Sequence, residues 1–341
     1  MDPLTQASVG AAVAAIAARK SETRRAILLG ALAGAAPDVD VLIRSDEDPL
    51  LALQFHRHFT HALLVAPLIG LLVAALFKAL FFWKHWSYRR LALFAVLGAL
   101  THGLIDACTS YGTLLYWPLS SHRESWDVIS IIDPIFTLPL CVLIVIAFAF
   151  RRPRFAHFGV GLCLLYLAFG AYQRGQAAEF AKQLAQARGH DPLELTVRPS
   201  FGNTLLWRIV YRSGERYYVD AVQTLPFASP RHYPGSSVDR FSLEAAASLF
   251  PAASVHARDV ARFRFFSQEY LFVHPMKPDV VGDLRYAMYP DSVEPLWGIR
   301  LDPERPEQHV SFEHFRDPSQ RAFKRLWQMI QGQAVEPLNA N

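Results

Sequence analysis

Three histidines, His56, His58 and His61, fall within six positions of the stretch QFHRHFTHALL (residues 54–64), directly ahead of a long apolar run. Three further stretches carry residues that can ligate a metal or move a proton. They are APDVDVL with Asp38 and Asp40, THGLIDACTSYG with His102 and Asp106, and WPLSSHRESWDVISIIDP with His122, Asp127 and Asp133. His58 and His61 are three apart and His102 and Asp106 four apart, spacings that put each pair on one face of a helix. Pro37 disfavours helical geometry just before it, so Asp38 and Asp40 sit near a helix end, where irregular backbone can present carboxylates.

Imidazoles and carboxylates together form a nitrogen and oxygen donor set that suits Zn²⁺, with Mn²⁺ or Fe²⁺ as alternatives. A divalent metal so held lowers the pKa of bound water towards ~7 and polarises a phosphoryl or carbonyl oxygen. The candidate metal ligands are Asp38, Asp40, His56, His58, His61, His102 and Asp106. Asp106 and His122 are the candidates for assisting proton transfer. Each residue taken alone also has an ordinary reading. An interfacial histidine can be amphipathic trim, Asp38 or Asp40 a turn residue, and His102 with Asp106 a hydrogen-bonded pair between helices. Arg57 either orients an anionic group bidentately or pairs with Asp46, Glu47 or Asp48.

The elements that must position these residues follow from an uneven distribution of apolar residues. The 341-residue chain is 52% hydrophobic and 19% charged, and its long uncharged runs lie almost wholly in residues 1–172. Four segments approach the ~20 apolar residues needed to cross a bilayer: Ala62–Trp83, Leu91–Cys108, Pro134–Phe150 and Phe155–Tyr172. Leu4–Ala18 and Ala26–Ile43 read as short or partly embedded helices, whose Gly and Ala content allows close approach to the bundle. Lys/Arg clusters at 19–25, 84–90 and 151–154 mark cytoplasmic loops. Alternation then puts residues 44–61, 109–132 and everything after 172 outside. All the candidate ligands thereby fall at outer helix ends, and carboxylates near a bilayer are easier to understand beside a cation.

Residues 173–341 read as a soluble α+β domain, predicted to be external or periplasmic. A polar connecting helix is expected at 173–189. Strands are expected at 193–199, in a hairpin over 204–225 around Ser213-Gly214-Glu215, and at 268–275, 281–289 and 295–302. Helices are expected at Ser242–Phe250, Ser254–Phe265 and Pro318–Gln331. The expected fold is therefore mainly α, a transmembrane helical bundle followed by an extramembrane α+β domain. A net charge of +4 without a basic stripe gives no indication of nucleic-acid binding. The three cysteines fit neither a disulfide framework nor a zinc ribbon. No charged-then-apolar cleavable leader is expected at the N-terminus. The absence of a G-x-S-x-G stretch argues against a serine nucleophile.

At these motifs the chain resembles the YdjM/YbcI family of bacterial inner-membrane proteins, described as membrane-bound metal-dependent hydrolases. The resemblance is carried by MDPLT, GALAGAAPDVDVL, HRHFTHALL and GALTHGLIDACTSYGT, then WPLS and DLRY with PLWGIRL nearer the C-terminus. More distantly the arrangement is similar to the zinc-dependent phospholipase C and single-strand nuclease superfamily. The resemblance implies that Asp38 or Asp40, His61, His102 and Asp106 form the principal metal site, with His56 and His58 as accessory groups. Family members commonly read Thr-His where this chain has Thr5-Gln6. An amide is a weak zinc ligand, so one metal is expected rather than two.

The expectation is thus a multi-pass inner-membrane, metal-dependent hydrolase that contacts the lipid bilayer and acts on an ester or phosphoester of a lipid or amphipathic substrate at the outer face. Two rivals stand beside it. A non-catalytic metal-binding scaffold or regulator would have a closed ligand set. A proton-coupled transporter would spread polar groups along the bilayer depth and use broken helices.

Overall fold

The computed structural model describes residues 1–80, 86–242, 250–316, 320–336 and 338. The chain divides into two compact units, residues 1–42, 55–171 and 201–203 in the first, and 43–54, 172–200 and 204–341 in the second.

The first unit is helical. Helix α1 (Pro3–Ile16) starts at Asp2, whose carboxylate accepts the Thr5 N–H at 3.0 Å, as an N-cap does. Helix α2 (Thr23–Ala35) runs into a 3-10 segment, Ala36–Leu42, that carries APDVDVL. Helix α3 (Leu51–Phe55) is followed by a second 3-10 turn, Phe59–His61, and then by α4 (Ala66–Leu80). Helix α5 is Tyr88–Ala107, α6 Pro134–Phe150 and α7 Arg154–Ala187. Close packing of α1, α2 and α5 depends on Gly30. A Cβ there would run into the Gly10 carbonyl, and a Cβ on Gly98 would run into Gly30 in turn. Small residues at such crossings let helix backbones approach where lipid offers no hydrophobic drive.

Two helices, α5 and α7, are long and apolar enough to cross a membrane, against four expected spans. The segments Leu51–His61 and Ala66–Leu80 pass the same test as a pair bent by 83° at the break. The expected span from Ala62 is interrupted at its start because Leu63 N–H donates to the Leu115 carbonyl at 2.9 Å instead of entering a helix. Its last residues lie outside the described ones. Helix α6 is confined to 17 residues by Pro134 at its first turn and by Arg151, whose φ of 52° is left-handed. At ~1.5 Å per residue it is about 26 Å long, just short of a ~30 Å hydrocarbon core. The expected separate connecting helix at 173–189 is instead the second half of α7, which runs unbroken for 34 residues.

The second unit holds two four-stranded antiparallel sheets in sequential strand order. The first comprises β1 (Glu194–Pro199), β2 (Leu206–Ser213), β3 (Arg216–Gln223) and β4 (Arg231–Asp239). The second comprises β5 (Leu271–His274), β6 (Lys277–Asp283), β7 (Trp297–Arg300) and β8 (Ser311–His314). The β2–β3 hairpin pairs Ser213 with Arg216 across Gly214, whose φ of +59° supplies the tight turn. Trp207, Ile209, Tyr211 and Val222 pack on Ala177, Ala181 and Ala185, a stripe at helical spacing along the second half of α7. Helices α8 (Val255–Phe266) and α9 (Gln320–Ile330) occupy two of the three expected helical positions. The third, Ser242–Phe250, lies mostly outside the described residues. Strand β4 was not expected, because RHYPGSSVD contains Pro234 and Gly235 and reads as a loop; it is paired through a register shift between Tyr218 and Asp220.

Candidate metal centre

The 3-10 segment after α2, the 3-10 turn before α4 and the last two turns of α5 bring their polar residues to one place in the first unit. His61 and His102 are each about 1% exposed or less, as are Asp40 and Asp106. The Nε2 atoms of His61 and His102 lie 2.8 Å apart. Asp38 Oδ1 is 3.5 Å from the first and 3.4 Å from the second. Asp106 Oδ2 is 3.2 Å from the first and 3.5 Å from the second. Four donor atoms thus crowd together at separations close to the ~3.3 Å edges of a tetrahedron with 2.0–2.1 Å bonds.

The hydrogen bonds behind the imidazoles assign their tautomers. His102 Nδ1 faces the Gly34 carbonyl at 2.5 Å, so Nδ1 carries the proton and Nε2 offers a lone pair. Thr60 Oγ1 donates to Asp40 Oδ2 at 2.9 Å and so accepts from His61 Nδ1 at 3.0 Å. Asp40 Oδ2 also lies 3.2 Å from that nitrogen. His61 Nε2 therefore offers a lone pair as well. Two lone pairs and two carboxylate oxygens face one another with no donor between them. Asp106 Oδ2 is buried and has no hydrogen-bond partner. Such an arrangement is repulsive unless a cation occupies it, and the donor set fits a divalent metal.

Asp40 is an orienting group more than a ligand. Its carboxylate accepts the Arg57 N–H at 3.0 Å, meets His56 Nδ1 at 2.9 Å and takes the Thr60 hydroxyl. Burial alone would raise the Asp40 carboxyl, but the hydrogen bonds of His56 and His61 outweigh it and hold it below the usual carboxylate range. Asp38 behaves likewise: burial opposes ionisation and the hydrogen bonds of His102 and His61 prevail. Asp38, with a side chain 20% exposed, is the ligand nearest to solvent.

Other expected residues take different places. His56 joins Asp38 and Asp40 in a second group of close donor atoms sharing Asp38. His58 lies outside both groups, its ring packed among Phe55, Phe59 and Trp117 at centroid distances of 5.7–6.0 Å. His122 is exposed and belongs to neither group. Arg57 lies with its Nε 3.4 Å from Asp106 Oδ2, donates to Thr109 Oγ1 at 2.9 Å and stacks over Tyr111. Asp48, one of its expected partners, is held by Arg262 instead, within the second unit. Gln6 donates from Nε2 to Asp106 Oδ1 at 2.9 Å, and the Met1 amine reaches the same oxygen. At this position the amide is therefore a donor to the carboxylate, not a ligand.

Sequence reasoning missed Thr60, the Gly34 carbonyl and Gly103. A Cβ on Gly103 would collide with the His61 carbonyl, so this glycine is what lets the 3-10 turn lie against α5 beside His102. A third cluster of ligating types, Asp48, Asp259 and His309, lies in the second unit. There Arg262 already sits on Asp48 at 3.0 and 2.9 Å and on Asp259 at 2.9 Å, which accounts for the carboxylates without a metal.

The motifs that build this centre all fall within residues 1–177, the span matched by the model of the YdjM inner membrane protein family. The chain belongs to that family. No significant match was found among curated proteins or among solved structures. Family membership and the apolar helices make this an inner-membrane protein in contact with lipid, with residue groups able to hold a metal ion.

Proposed function

We infer that this YdjM-family chain is a membrane-bound metal-dependent hydrolase, acting at the outer face on an ester or phosphoester of a lipid or amphipathic substrate. The observation that carries this reading is the apposition of the His61 and His102 Nε2 lone pairs at 2.8 Å beside Asp38 and Asp106. Asp38, His61, His102 and Asp106 would hold the ion, and zinc is the metal that two imidazoles and two carboxylates suit best. Once bound, it would supply Lewis-acid polarisation of the substrate oxygen and activation of water.

The protein's own residues do the rest. Thr60 and Asp40 hold His61 in one tautomer and one orientation, and the Gly34 carbonyl does the same for His102. Such outer partners commonly govern metal affinity as strongly as the ligands themselves. Arg57, buried and close to Asp106, keeps that carboxylate ionised and aimed at the site. The partly exposed Asp38 edge is where substrate would enter.

A scaffold reading is favoured by the count of donors, since four protein ligands complete a tetrahedron as structural sites do. The accessible edge at Asp38 favours an exchangeable position instead. Elemental analysis of detergent-purified protein beside a His102→Ala/Asp106→Ala variant tests both. Near-stoichiometric metal that is lost in the variant supports the centre. Release of p-nitrophenol from bis-p-nitrophenyl phosphate by the wild type alone separates hydrolase from scaffold. No metal in either protein after reconstitution with zinc or manganese sinks the hydrolase.

A further inference from the structure

The second unit contains a cavity of about 390 Å³ bordered by β4, the β5–β6 hairpin and residues 291–294. That volume is within the ~300–1,000 Å³ range of small-molecule sites. Two of its lining side chains, His274 and Asp291, are 4% and 3% exposed, and each leaves one buried polar atom without a partner: His274 Nε2 and Asp291 Oδ1. Burying such atoms unsatisfied costs roughly 1–3 kcal/mol each, so their survival in one cavity calls for a ligand.

The wall that presents them is rigid. Arg208, wholly buried on β2, donates to the carbonyls of Pro290 and Ser292, at 3.0 and 2.7 Å, on either side of Asp291. It also donates twice to the Leu284 carbonyl. Arg325 holds Asp291 Oδ2, which leaves Oδ1 as the unused acceptor. Gly235 admits the 291 segment against β4, because a Cβ there would strike both the Val219 and the Asp291 carbonyls.

The chemistry of the ligand follows from the two atoms. Met276 N–H donates to His274 Nδ1 at 3.2 Å, so in the neutral ring the proton sits on Nε2, a donor. The nearest carboxylate oxygen, Glu294 Oε1, is 3.9 Å away, beyond hydrogen-bond reach. A ligand oxygen about 2.8 Å from each would accept from the imidazole and donate to the carboxylate. An anionic ligand would satisfy His274 and be repelled by Asp291 and Glu294. A cation would satisfy the carboxylates and leave the imidazole N–H unpaired. A hydroxyl does both, and Ser236 on the wall adds another hydroxyl. Pro275, Val293 and the largely exposed Met276 give an apolar side for C–H groups.

We propose that this cavity binds a neutral, hydroxyl-rich ligand, a mono- or disaccharide, through His274, Asp291 and Glu294. The site is independent of the metal centre and of the reaction proposed there.

Isothermal titration of the full chain, purified in a non-glycosidic detergent, tests it with glucose, N-acetylglucosamine and sucrose. Glucose 6-phosphate, glucosamine and N-acetylalanine amide serve as the anionic, cationic and peptide comparators. Saturable binding of at least one neutral sugar is expected, weakened about tenfold, the worth of one hydrogen bond, by Glu294→Gln. Met276→Trp, which narrows the cavity, should weaken it similarly. Residues 276 and 294 are exposed, so both variants keep the fold, and His274→Phe provides a third, isosteric check. No saturable binding of any neutral sugar would mean a cavity that holds water only and would overturn the proposal. So would tighter binding of a comparator, or sugar binding that Glu294→Gln and Met276→Trp leave unchanged.

Discussion

The imidazoles of His61 and His102 meet edge to face, with ring centroids 4.3 Å apart and Nε2 atoms separated by 2.8 Å. Nitrogens 41 positions apart in the chain are held there by separate backing groups, Thr60 with Asp40 on one side and the Gly34 carbonyl on the other. An ion that binds only the folded centre stabilises it by RT ln(1 + [L]/Kd), about 2.7 kcal/mol at a hundredfold excess over Kd. Chelation is therefore expected to lower the thermal midpoint of the wild type and zinc to restore it. His61→Ala should show neither response. Equal midpoints for chelated and zinc-loaded wild type would count against the centre.

Gly103 makes the apposition sterically feasible. With a Cβ at 103 the His61 carbonyl must retreat, and the 3-10 turn carrying His61 must move away from α5 with it. Gly103→Ala should lose bound metal and about 1–3 kcal/mol of stability, the usual cost of overpacking. The control is Gly161→Ala on α7, where a Cβ meets nothing within 4 Å and a change within about 1 kcal/mol of wild type is expected. Metal content and unfolding midpoints of the two variants decide the matter. Retained metal in Gly103→Ala would show that the turn tolerates the shift.

Asp38 and Asp40 are two positions apart but do different work. Asp38 offers Oδ1 to both histidines, whereas Asp40 hydrogen-bonds to Thr60, Arg57 N–H and the two imidazoles behind them. Asp40→Asn is expected to weaken metal binding by about 10–100-fold while leaving a site that fills at high metal, as loss of an orienting partner does. Asp38→Asn removes a ligand and should weaken it further. A competitive chelator titration of both variants ranks them, and the reverse order would exchange the two roles.

The centre was partly legible in the sequence because its metal-ligating types lie at short, regular spacing. His102 and Asp106 at i and i+4 need only a helix to share a face, and the DVD and HRHFTH stretches sit at breaks that Pro37 and the polar run announce. What was not legible depends on tertiary geometry. His58 has the same type and spacing as a ligand, yet its ring goes to Phe55, Phe59 and Trp117. No local signal marks Thr60, or the carbonyl of Gly34, as the group that fixes a tautomer. In the fold, the helical region ahead of an α+β domain followed from hydropathy alone. The span count did not, since α6 stops at a left-handed Arg151 and Leu63 is diverted to Leu115. The length of α7 was hidden because its apolar half and its alanine-striped half have different compositions within one helix.

Orientation rests on the Lys/Arg clusters and can be read directly. Ser121 and Ser21 are both exposed, in the loop at 109–132 and in the basic loop at 19–25. In intact cells, Ser121→Cys should react with a membrane-impermeant maleimide and Ser21→Cys should react only after permeabilisation. The native Cys108 and Cys163 are buried, so background labelling is expected to be low. The opposite pattern would turn the metal centre to the cytoplasmic side and remove the outer-face substrate from consideration.

Asp220 provides a pH test within the second unit. Its carboxylate, 1% exposed, takes a bidentate pair from Arg188 at 2.6 and 2.9 Å and meets His232 Nε2 at 2.9 Å. Burial would raise the carboxyl, but the hydrogen bonds of His232 and Arg188 outweigh it and set it below its ordinary value. In the unfolded chain an aspartate titrates near ~3.9. The folded carboxyl titrates lower, so its contribution to stability is fully present above ~3.9 and is lost as pH falls below that towards the folded value. Asp220→Ala leaves Arg188 without its partner and should cost about 3 kcal/mol at pH 7, at the low end for buried pairs because Arg188 is a third exposed. The gap between wild type and variant should hold between pH 7 and pH 5 and narrow by pH 3. Denaturation midpoints at the three pH values measure it. A gap as wide at pH 3 as at pH 7 would mean that the ionised carboxylate is not what stabilises this network.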